Sequence, residues 1–256
     1  MGRPGGWDAC EGFWQVEQYL DRVDDLSKAE FIDCLRRGDL ELTAFSLHLT
    51  ELLDAGHLRD SLRPAVEFAE KYGIPLTSAM SCDVNGMSWA MAEALASVGV
   101  NYLSTNINPH HGGAPLGGPL RPFYWEARSG KCILVWNGLA YHKANLLGLM
   151  GGWSPTAPAG FPGMTADEAC EAYVDVRDIA FAERRLTAAL QALVHTGYPY
   201  RFLPLMGSGL YADNSPPSDL CCEIVAAWNA KHGDRVMEIA EEARRICRSI
   251  SGRPSR

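Results

Sequence analysis

Carboxylates follow two short apolar runs of the chain, at points where strands would end. Glu51 comes soon after the run Leu40–Phe45, and His48 lies three residues before it, which places both on one side of a helix. Asp213 comes after the apolar run at 200–209, in a loop that two prolines stiffen. Carboxyl groups in such loops can act as nucleophiles or as general acids and bases. We therefore take Glu51 and Asp213 as candidate catalytic residues, with a solvated first-turn Glu and a plain turn as the alternatives.

Polar side chains in two other predicted loops would bind a ligand rather than react with it. Asp83 and Asn85 precede an apolar helical pattern, so either one would cap that helix or line the rim of a substrate site. His110 and His111 are neighbours in a loop rich in Gly and Pro. Adjacent side chains rarely bind one metal ion, so hydrogen bonding to a polyol is favoured over a metal site. An incidental surface loop is the alternative for the two histidines.

Aromatic residues crowd the segments between the predicted strands and helices. Rings such as Trp125 could stack on the faces of sugars, although packing in the core is the alternative for most of them. Tyr211 and Asn214 flank Asp213. The predicted substrate-binding set is therefore His48, Asp83, Asn85, His110, His111, Trp125, Tyr211 and Asn214.

Composition narrows the class of ligand and the compartment. The chain has 256 residues and a net charge of −8. Its basic residues are dispersed, which argues against a nucleic-acid partner and is compatible with a neutral carbohydrate. No window of 18 apolar residues predicts a membrane span, and the start does not read as a signal peptide. Eight cysteines without CxxC spacing are expected to be reduced thiols, so we predict a cytoplasmic location.

Short β-rich runs alternate with amphipathic helices, which predicts parallel βαβ units and an α/β fold in one domain, residues 1–256. Residues 128–130 predict the turn of a β-hairpin, and 151–163 predict a loop or lid. The expected strands are 40–45, 74–79, 100–105, 123–127, 131–136 and 200–209. The expected helices are one from Phe13, one capped by Ser27 and ended by Gly38, 49–71 with a restart near Gly56, 87–97, one capped by Thr165 and running to His195, 218–231 and 235–250.

Four segments in order resemble the catalytic domain of glycoside hydrolase family 38, the retaining α-mannosidases, in a divergent bacterial-type branch. Residues 83–105, "DVNGMSWAMAEALASVGVNYLST", are similar to the family's Asp-x-Phe-Gly-type turn with its following helix and strand. Residues 121–137, "RPFYWEARSGKCILVWN", are similar to its "FWWEGxDGSxVL" hairpin, the most specific match. Residues 38–54 resemble the segment that leads to the catalytic carboxylate, and residues 202–214 resemble a later strand and loop.

This resemblance covers roughly residues 10–230 and implies an irregular seven-stranded (β/α) barrel that binds a carbohydrate. It also implies a zinc ion on the sugar hydroxyls and two carboxyl groups about 5–5.5 Å apart. The nucleophile position falls nearest Glu51, and the acid/base region falls near Asp213. The family's first strand holds zinc with a His-x-Asp pair. We expect this chain to lack that pair and to begin after that strand, as a fragment of a longer protein would.

The leading interpretation is a glycoside hydrolase that acts on α-mannoside-like glycans. Two alternatives stay open. One is a non-catalytic carbohydrate-binding or degenerate barrel module, and the other is a sugar deacetylase, which would need a His/Asp metal set.

Overall fold

The computed structural model describes residues 7–9, 12–47, 52–84, 86–107, 118–139, 144, 147–149, 179–200, 202–205 and 220–232. The chain divides into two compact units, one formed by Met1–Gly138 with Ala240–Arg256 and the other by Leu139–Ile239. The described part of the first unit contains six strands and five helices: β1 (Trp7–Ala9), α1 (Phe13–Leu20), α2 (Asp25–Arg37), β2 (Leu40–Leu42), α3 (Ala55–Ser61), α4 (Arg63–Tyr72), β3 (Ser78–Val84), α5 (Trp89–Ser97), β4 (Tyr102–Ile107), β5 (Arg121–Glu126) and β6 (Cys132–Asn137).

Helix α2 shows how local sequence sets the ends of an element. The carboxylate of Asp24 accepts the N–H of Ser27 at 2.8 Å, so Asp24 is the N-cap. The prediction that Ser27 caps this helix was therefore wrong, because the acid three residues earlier provides the cap. Gly38 ends the helix with a left-handed φ of 74°, as predicted.

The predicted helix at 49–71 begins later and is divided. Leu52 and Leu53 are not helical, and Asp54 caps α3 by accepting the N–H groups of Gly56 and His57. A turn at Leu62 separates α3 from α4, and Gly73 ends α4 in the left-handed conformation. The apolar periodicity predicts the helical character of this segment correctly, but the capping side chain decides where the first helix begins.

The strands form two sheets joined by one bridge. Strands β1 and β2 pair in parallel, and an isolated parallel bridge joins Thr43 to Ser78 at the start of β3. Strands β3, β4 and β6 pair in parallel, and β5 is antiparallel at the edge beside β6. This is an α/β fold with a four-stranded sheet. Strand β1 was not predicted from the sequence.

Strand β3 lies four residues later than its predicted start. The segment between Gly73 and Ser78 is not a strand, and the N–H of Ile74 still bonds the α4 carbonyl of Ala69 at 2.9 Å. The strand then extends through Val84, into residues that had been read as a loop. Strand β4 ends at Ile107, two residues beyond its predicted end.

The hairpin β5–β6 is confirmed. Ala127 and Lys131 close it with a backbone hydrogen bond of 2.8 Å, and Gly130 in the turn has a φ of 80°. The N–H of Ser129 donates to Oε2 of Glu93 at 2.9 Å, which ties the turn to helix α5.

Two apolar clusters hold this unit together. One lies between the sheet and helices α3 and α5, and it includes Leu62, Leu95, Leu103, Ile133 and Val135, each almost fully buried. The other joins helices α1, α2 and α4 to β2 through side chains such as Phe13, Leu35 and Leu42. Helices therefore cover one face of the sheet, as in βαβ units.

The described part of the second unit contains helices α6 (Ile179–His195) and α7 (Leu220–Lys231). Glu183 on α6 pairs with Lys231 at 2.6 Å and with His232 at 2.9 Å. Residues 202–205 are not in a strand, so the strand predicted at 200–209 is not seen where this segment is described. The predicted loop at 151–163, the cap at Thr165 and the helix at 235–250 lie outside the described residues.

Candidate functional site

The carboxyl ends of β3, β4 and β6 lie together because these strands are parallel. Polar residues meet along this edge of the four-stranded sheet, which runs across the strand ends and is distinct from the edge strand β5. The register pairs Cys82 with Asn106 and Thr105 with Asn137. Asp83 and Asn106 therefore lie beside one another along this edge, and Thr105 and Asn137 lie beside one another on the face of the sheet opposite Asn106, because successive side chains of a strand alternate between faces. Parallel α/β folds place their ligand sites at that end of the sheet.

Asp83 is the exposed carboxylate of the group, and its backbone is strained. The pairing of β3 with β4 shifts register between Cys82 and Val84, so Asp83 is the extra residue of a β-bulge. Its φ is 57°, in the left-handed region that residues with a Cβ rarely occupy. Such strain costs about 1–3 kcal/mol and clusters at functional sites. The side chain is exposed at the end of the strand.

A side chain of β4 holds the bulge. The N–H of Asp83 donates to Oδ1 of Asn106 at 3.2 Å. Asn106 is 2% exposed, so the accepting oxygen is shielded from bulk water. The bulge leaves Asp83 without a partner residue in the ladder, and the amide of Asn106 supplies the acceptor.

Two buried polar atoms near this edge keep hydrogen-bonding capacity. Nδ2 of Asn137 donates to the carbonyl of Gly118 at 3.1 Å. Within the described part of the chain, Oδ1 of Asn137 and Oγ1 of Thr105 have no hydrogen-bond partner. Buried polar atoms normally have partners. These two atoms on paired residues could therefore accept a water molecule or a ligand hydroxyl.

In contrast to the exposed Asp83, a buried carboxylate lies at the amino end of β3. Glu41 on β2 is buried and accepts a hydrogen bond from the hydroxyl of Ser78, the first residue of β3. This contact joins the two sheets beside the Thr43–Ser78 bridge. It belongs to the amino end of β3, away from Asp83.

Trp125 lies on edge strand β5 and packs partly against the core cluster below the sheet. Its ring meets the ring of Trp89 edge-on, with centroids 6.2 Å apart. Trp89 is 66% exposed and is the first residue of α5. The pair could offer aromatic surface to a ligand, and the role of Trp125 in binding stays a prediction.

The titratable pair nearest in sequence to Glu51 is Asp54 and His57. Nδ1 of His57 lies 2.5 Å from Oδ2 of Asp54. The hydrogen bond lowers the pKa of Asp54 and raises the pKa of His57. Both groups are exposed, and both belong to the cap of α3.

Comparison with known proteins gives an informative likeness to a solved structure. No protein-family model and no curated protein matches this chain. Among solved structures, an α-mannosidase from Enterococcus faecalis V583 superposes with a TM-score of 0.65 at 14% sequence identity. The match covers 98% of this chain and 25% of that one. This chain has a mannosidase-like fold. It spans about a quarter of the length of that α-mannosidase.

Most of the site residues predicted from sequence cannot be placed in this mannosidase-like fold. Asp83 and Trp125 are described, and the structure does not bring them together in any contact. The following residues lie outside the described residues: His48, Glu51, Asn85, His110, His111, Tyr211, Asp213 and Asn214. Their predicted roles stay predictions.

One interpretation of Asp83 was wrong. Asp83 does not cap the following helix, because it belongs to β3 and the N-cap of α5 is Ser88. The sequence reading also missed Asn106, Thr105 and Asn137. The signal available for them was a run of polar residues at the ends of two otherwise apolar strands.

Zinc has no visible set of ligands in the described part of the chain. No three His, Cys, Asp or Glu side chains come together there, whereas zinc sites use three or four such ligands. The sequence reading that the chain holds no His-x-Asp was wrong, since His232 begins such a triplet with Gly233 and Asp234. His232 follows α7, stacks on Trp228 and contacts Glu183.

Among the described helices, none is both long enough and apolar enough to cross a membrane.

Proposed function

We propose that this chain is a glycoside-hydrolase-like barrel that acts on α-mannosides. One observation carries the proposal: Asp83 presents an exposed carboxylate from a left-handed backbone at the carboxyl end of a parallel strand. The mannosidase-like fold supports the choice of substrate class, because the similar solved protein is an α-mannosidase. Membership of glycoside hydrolase family 38 is the finer form of the same proposal.

The order of the strands supports a barrel. Strands β1, β2, β3, β4 and β6 are parallel neighbours in chain order, with β2 and β3 joined through the Thr43–Ser78 bridge. Sequential parallel strands with helices on one face are the arrangement of (β/α) barrels. We propose that the complete sheet has seven strands and that the chain forms one domain. Barrel enzymes bind their substrates at the carboxyl ends of the strands, which is the edge that holds Asp83.

Retaining glycosidases use two carboxyl groups about 5–5.5 Å apart. One attacks the anomeric carbon, and the other protonates the leaving oxygen and later activates water. Among the described carboxylates, Asp83 is the one placed for such work, so we propose it as one of the two reacting groups. Glu51 and Asp213, which the sequence predicts for the two roles, are then the candidates for the other group. The buried atoms of Thr105 and Asn137 lie at the same ends of the strands, on the face opposite Asn106, and we propose that they bind a hydroxyl group there.

Zinc on the sugar hydroxyls, a cytoplasmic location and the absence of nucleic-acid and membrane partners remain predictions from the sequence. The described residues do not gather a zinc ligand set, and the roles proposed for Asp83, Thr105 and Asn137 do not depend on a metal.

Hydrolysis of an aryl α-mannoside by the purified 256-residue chain tests the proposal. We expect Asp83→Asn to lower kcat by about 10³-fold or more, since removal of a reacting group costs at least that much. Glu51→Gln and Asp213→Asn test the roles predicted from sequence in the same assay. Glu126→Gln is the matched control, because Glu126 is an exposed carboxylate at the opposite end of the sheet. Unchanged rates in all three site variants would reject a two-carboxylate mechanism at these positions.

A second candidate is a carbohydrate-binding module without turnover. The observation in its favour is the aromatic pair of Trp89 and Trp125, in which Trp89 is 66% exposed and can offer its ring to the face of a sugar. Titration calorimetry with methyl α-mannoside separates the two candidates. Binding that Asp83→Asn weakens, with no hydrolysis by the unmodified chain, would favour the binding module.

A further inference from the structure

The bulge in β3 removes one backbone partner from the sheet, and a side chain takes its place. Cys82 pairs with Asn106 and Val84 pairs with Ile107, so the N–H of Asp83 has no carbonyl opposite it. Oδ1 of Asn106 accepts that N–H at 3.2 Å. Because the donor is a backbone N–H, the atom of the Asn106 amide that accepts it must be the oxygen, since the amide nitrogen only donates.

The position of the accepting oxygen is well fixed. Asn106 is almost fully buried, and its strand is held on both sides. On one side β4 pairs with β3, and on the other it pairs with β6 from Tyr102 to Thr105. A buried side chain on a strand paired at both edges has little freedom to move. The oxygen therefore acts as a fixed point for the end of β3.

Asp83 needs such a fixed point because its own backbone preference opposes its conformation. At a φ of 57° its Cβ is in an unfavourable position relative to the neighbouring carbonyl. Without the bond to Asn106, the residue would relax toward an extended conformation. Relaxation would rotate the carboxylate away from its direction at the edge of the sheet.

We propose that Asn106 is a positioning residue that holds the Asp83 backbone left-handed and so fixes the direction of its carboxylate. The consequence for catalysis rests on the proposed function, in which that carboxylate reacts with the sugar. The role requires an acceptor oxygen at a set distance from β4. Asn106→Asp keeps that oxygen, whereas Asn106→Ala and Asn106→Leu remove it.

Amide hydrogen exchange at Asp83, measured by NMR on the whole chain, tests the structural half without any need for activity. We expect Asn106→Ala to speed this exchange by about 10-fold, the change that corresponds to loss of about 1.4 kcal/mol of protection. Asn106→Asp, which keeps an acceptor oxygen but buries a carboxyl group, should exchange more slowly than Asn106→Ala. Ser104→Ala is the control, because Ser104 is a buried polar residue on the same strand, two positions earlier. Asn106→Leu, which keeps most of the volume, replaces the alanine variant if that variant fails to fold.

An unchanged Asp83 exchange rate in the variants without the oxygen would overturn the proposal. Kinetics on the aryl α-mannoside test the catalytic half: kcat should fall with KM little changed in Asn106→Ala, and Asn106→Asp, which keeps the acceptor, should recover part of kcat. Faster exchange with unaltered kcat would overturn the positioning role in catalysis. If the unmodified chain hydrolyses nothing, the proposed function fails, and the exchange rates still decide whether Asn106 holds Asp83.

Discussion

The left-handed backbone at Asp83 predicts an unusual order of stability for two substitutions. Asp83→Ala and Asp83→Gly both remove the exposed carboxylate, and they differ only in the presence of a Cβ. At most strand positions alanine is the more stable of the two, because glycine loses more backbone entropy on folding. At a φ of 57° the Cβ itself is unfavourable, so we expect the order to reverse.

The size of the reversal follows from two opposing terms. A Cβ in the left-handed region costs about 1–2 kcal/mol. The additional backbone entropy of glycine in the unfolded chain costs about 0.5–1 kcal/mol. The difference of the two midpoints predicts that Asp83→Gly is more stable than Asp83→Ala by about 0.75 kcal/mol, and the two ranges allow at most about 1.5 kcal/mol. Glu126 provides the matched comparison, since it is an exposed acid in a strand and its φ is not positive. There the glycine variant should be less stable than the alanine variant by about 0.5–1 kcal/mol.

Urea unfolding followed by tryptophan fluorescence measures all four variants under one condition. The comparison is between two differences, so contributions common to both substitutions at one site cancel. Similar m values across the set would show that the variants unfold between comparable states. The same order of alanine and glycine at positions 83 and 126 would refute the conformation assigned to Asp83, and with it the argument for strain at the site.

Three further predictions concern other parts of the first unit. Leu95→Ala should lower the free energy of unfolding by about 2–5 kcal/mol, because Leu95 is fully buried between α5 and the sheet. Leu26→Ala, at a position that is 83% exposed, should change it by less than about 0.5 kcal/mol. Equal urea midpoints for the two variants would contradict this prediction. Gly130→Ala should destabilise the hairpin by about 1–2 kcal/mol. The added Cβ would not clash, because it meets open space, so the cost comes from the left-handed φ of 80° alone. An unchanged melting temperature would count against the conformation of that turn. Asp54 raises the pKa of His57, so an NMR titration should show the His57 pKa falling in Asp54→Asn, and an identical titration in that variant would exclude the pairing. The stability due to this pair should be complete between the ordinary pKa values of aspartate and histidine. It should be lost as pH rises through the raised pKa of His57 and as pH falls through the lowered pKa of Asp54.

The parts of the fold that were predictable depend on interactions close in sequence. The hairpin at 121–137 combines two β-rich runs with a glycine whose left-handed φ the turn requires. Gly38 and Gly73 end their helices for the same reason. In these cases the residue that decides the structure lies directly beside the element that it ends.

Strand β3 was misplaced because its limits depend on distant residues. The apolar residues Ile74 and Leu76 favour a strand by composition, yet both pack against the helical clusters before the ladder begins. The ladder starts at Ser78, where Thr43 and Tyr102 become available as neighbours. The β-propensity of a segment carries no information on where its partner strands begin, so the tertiary pairing decides where the strand starts.

Asp83 shows why the site could be predicted only in outline. A short acid before a helical pattern fits an N-cap, and the same short polar side chain makes Asp one of the residues that best tolerates a left-handed backbone. Both readings therefore predict Asp at this position, and local sequence does not choose between them. The choice is made by Asn106, 23 residues later, whose buried amide accepts the Asp83 N–H only when β3 continues into a bulge beside β4. The bond from Asn106 and the left-handed backbone together hold the Asp83 carboxylate at the edge of the sheet, and this arrangement is the basis of the role proposed for it.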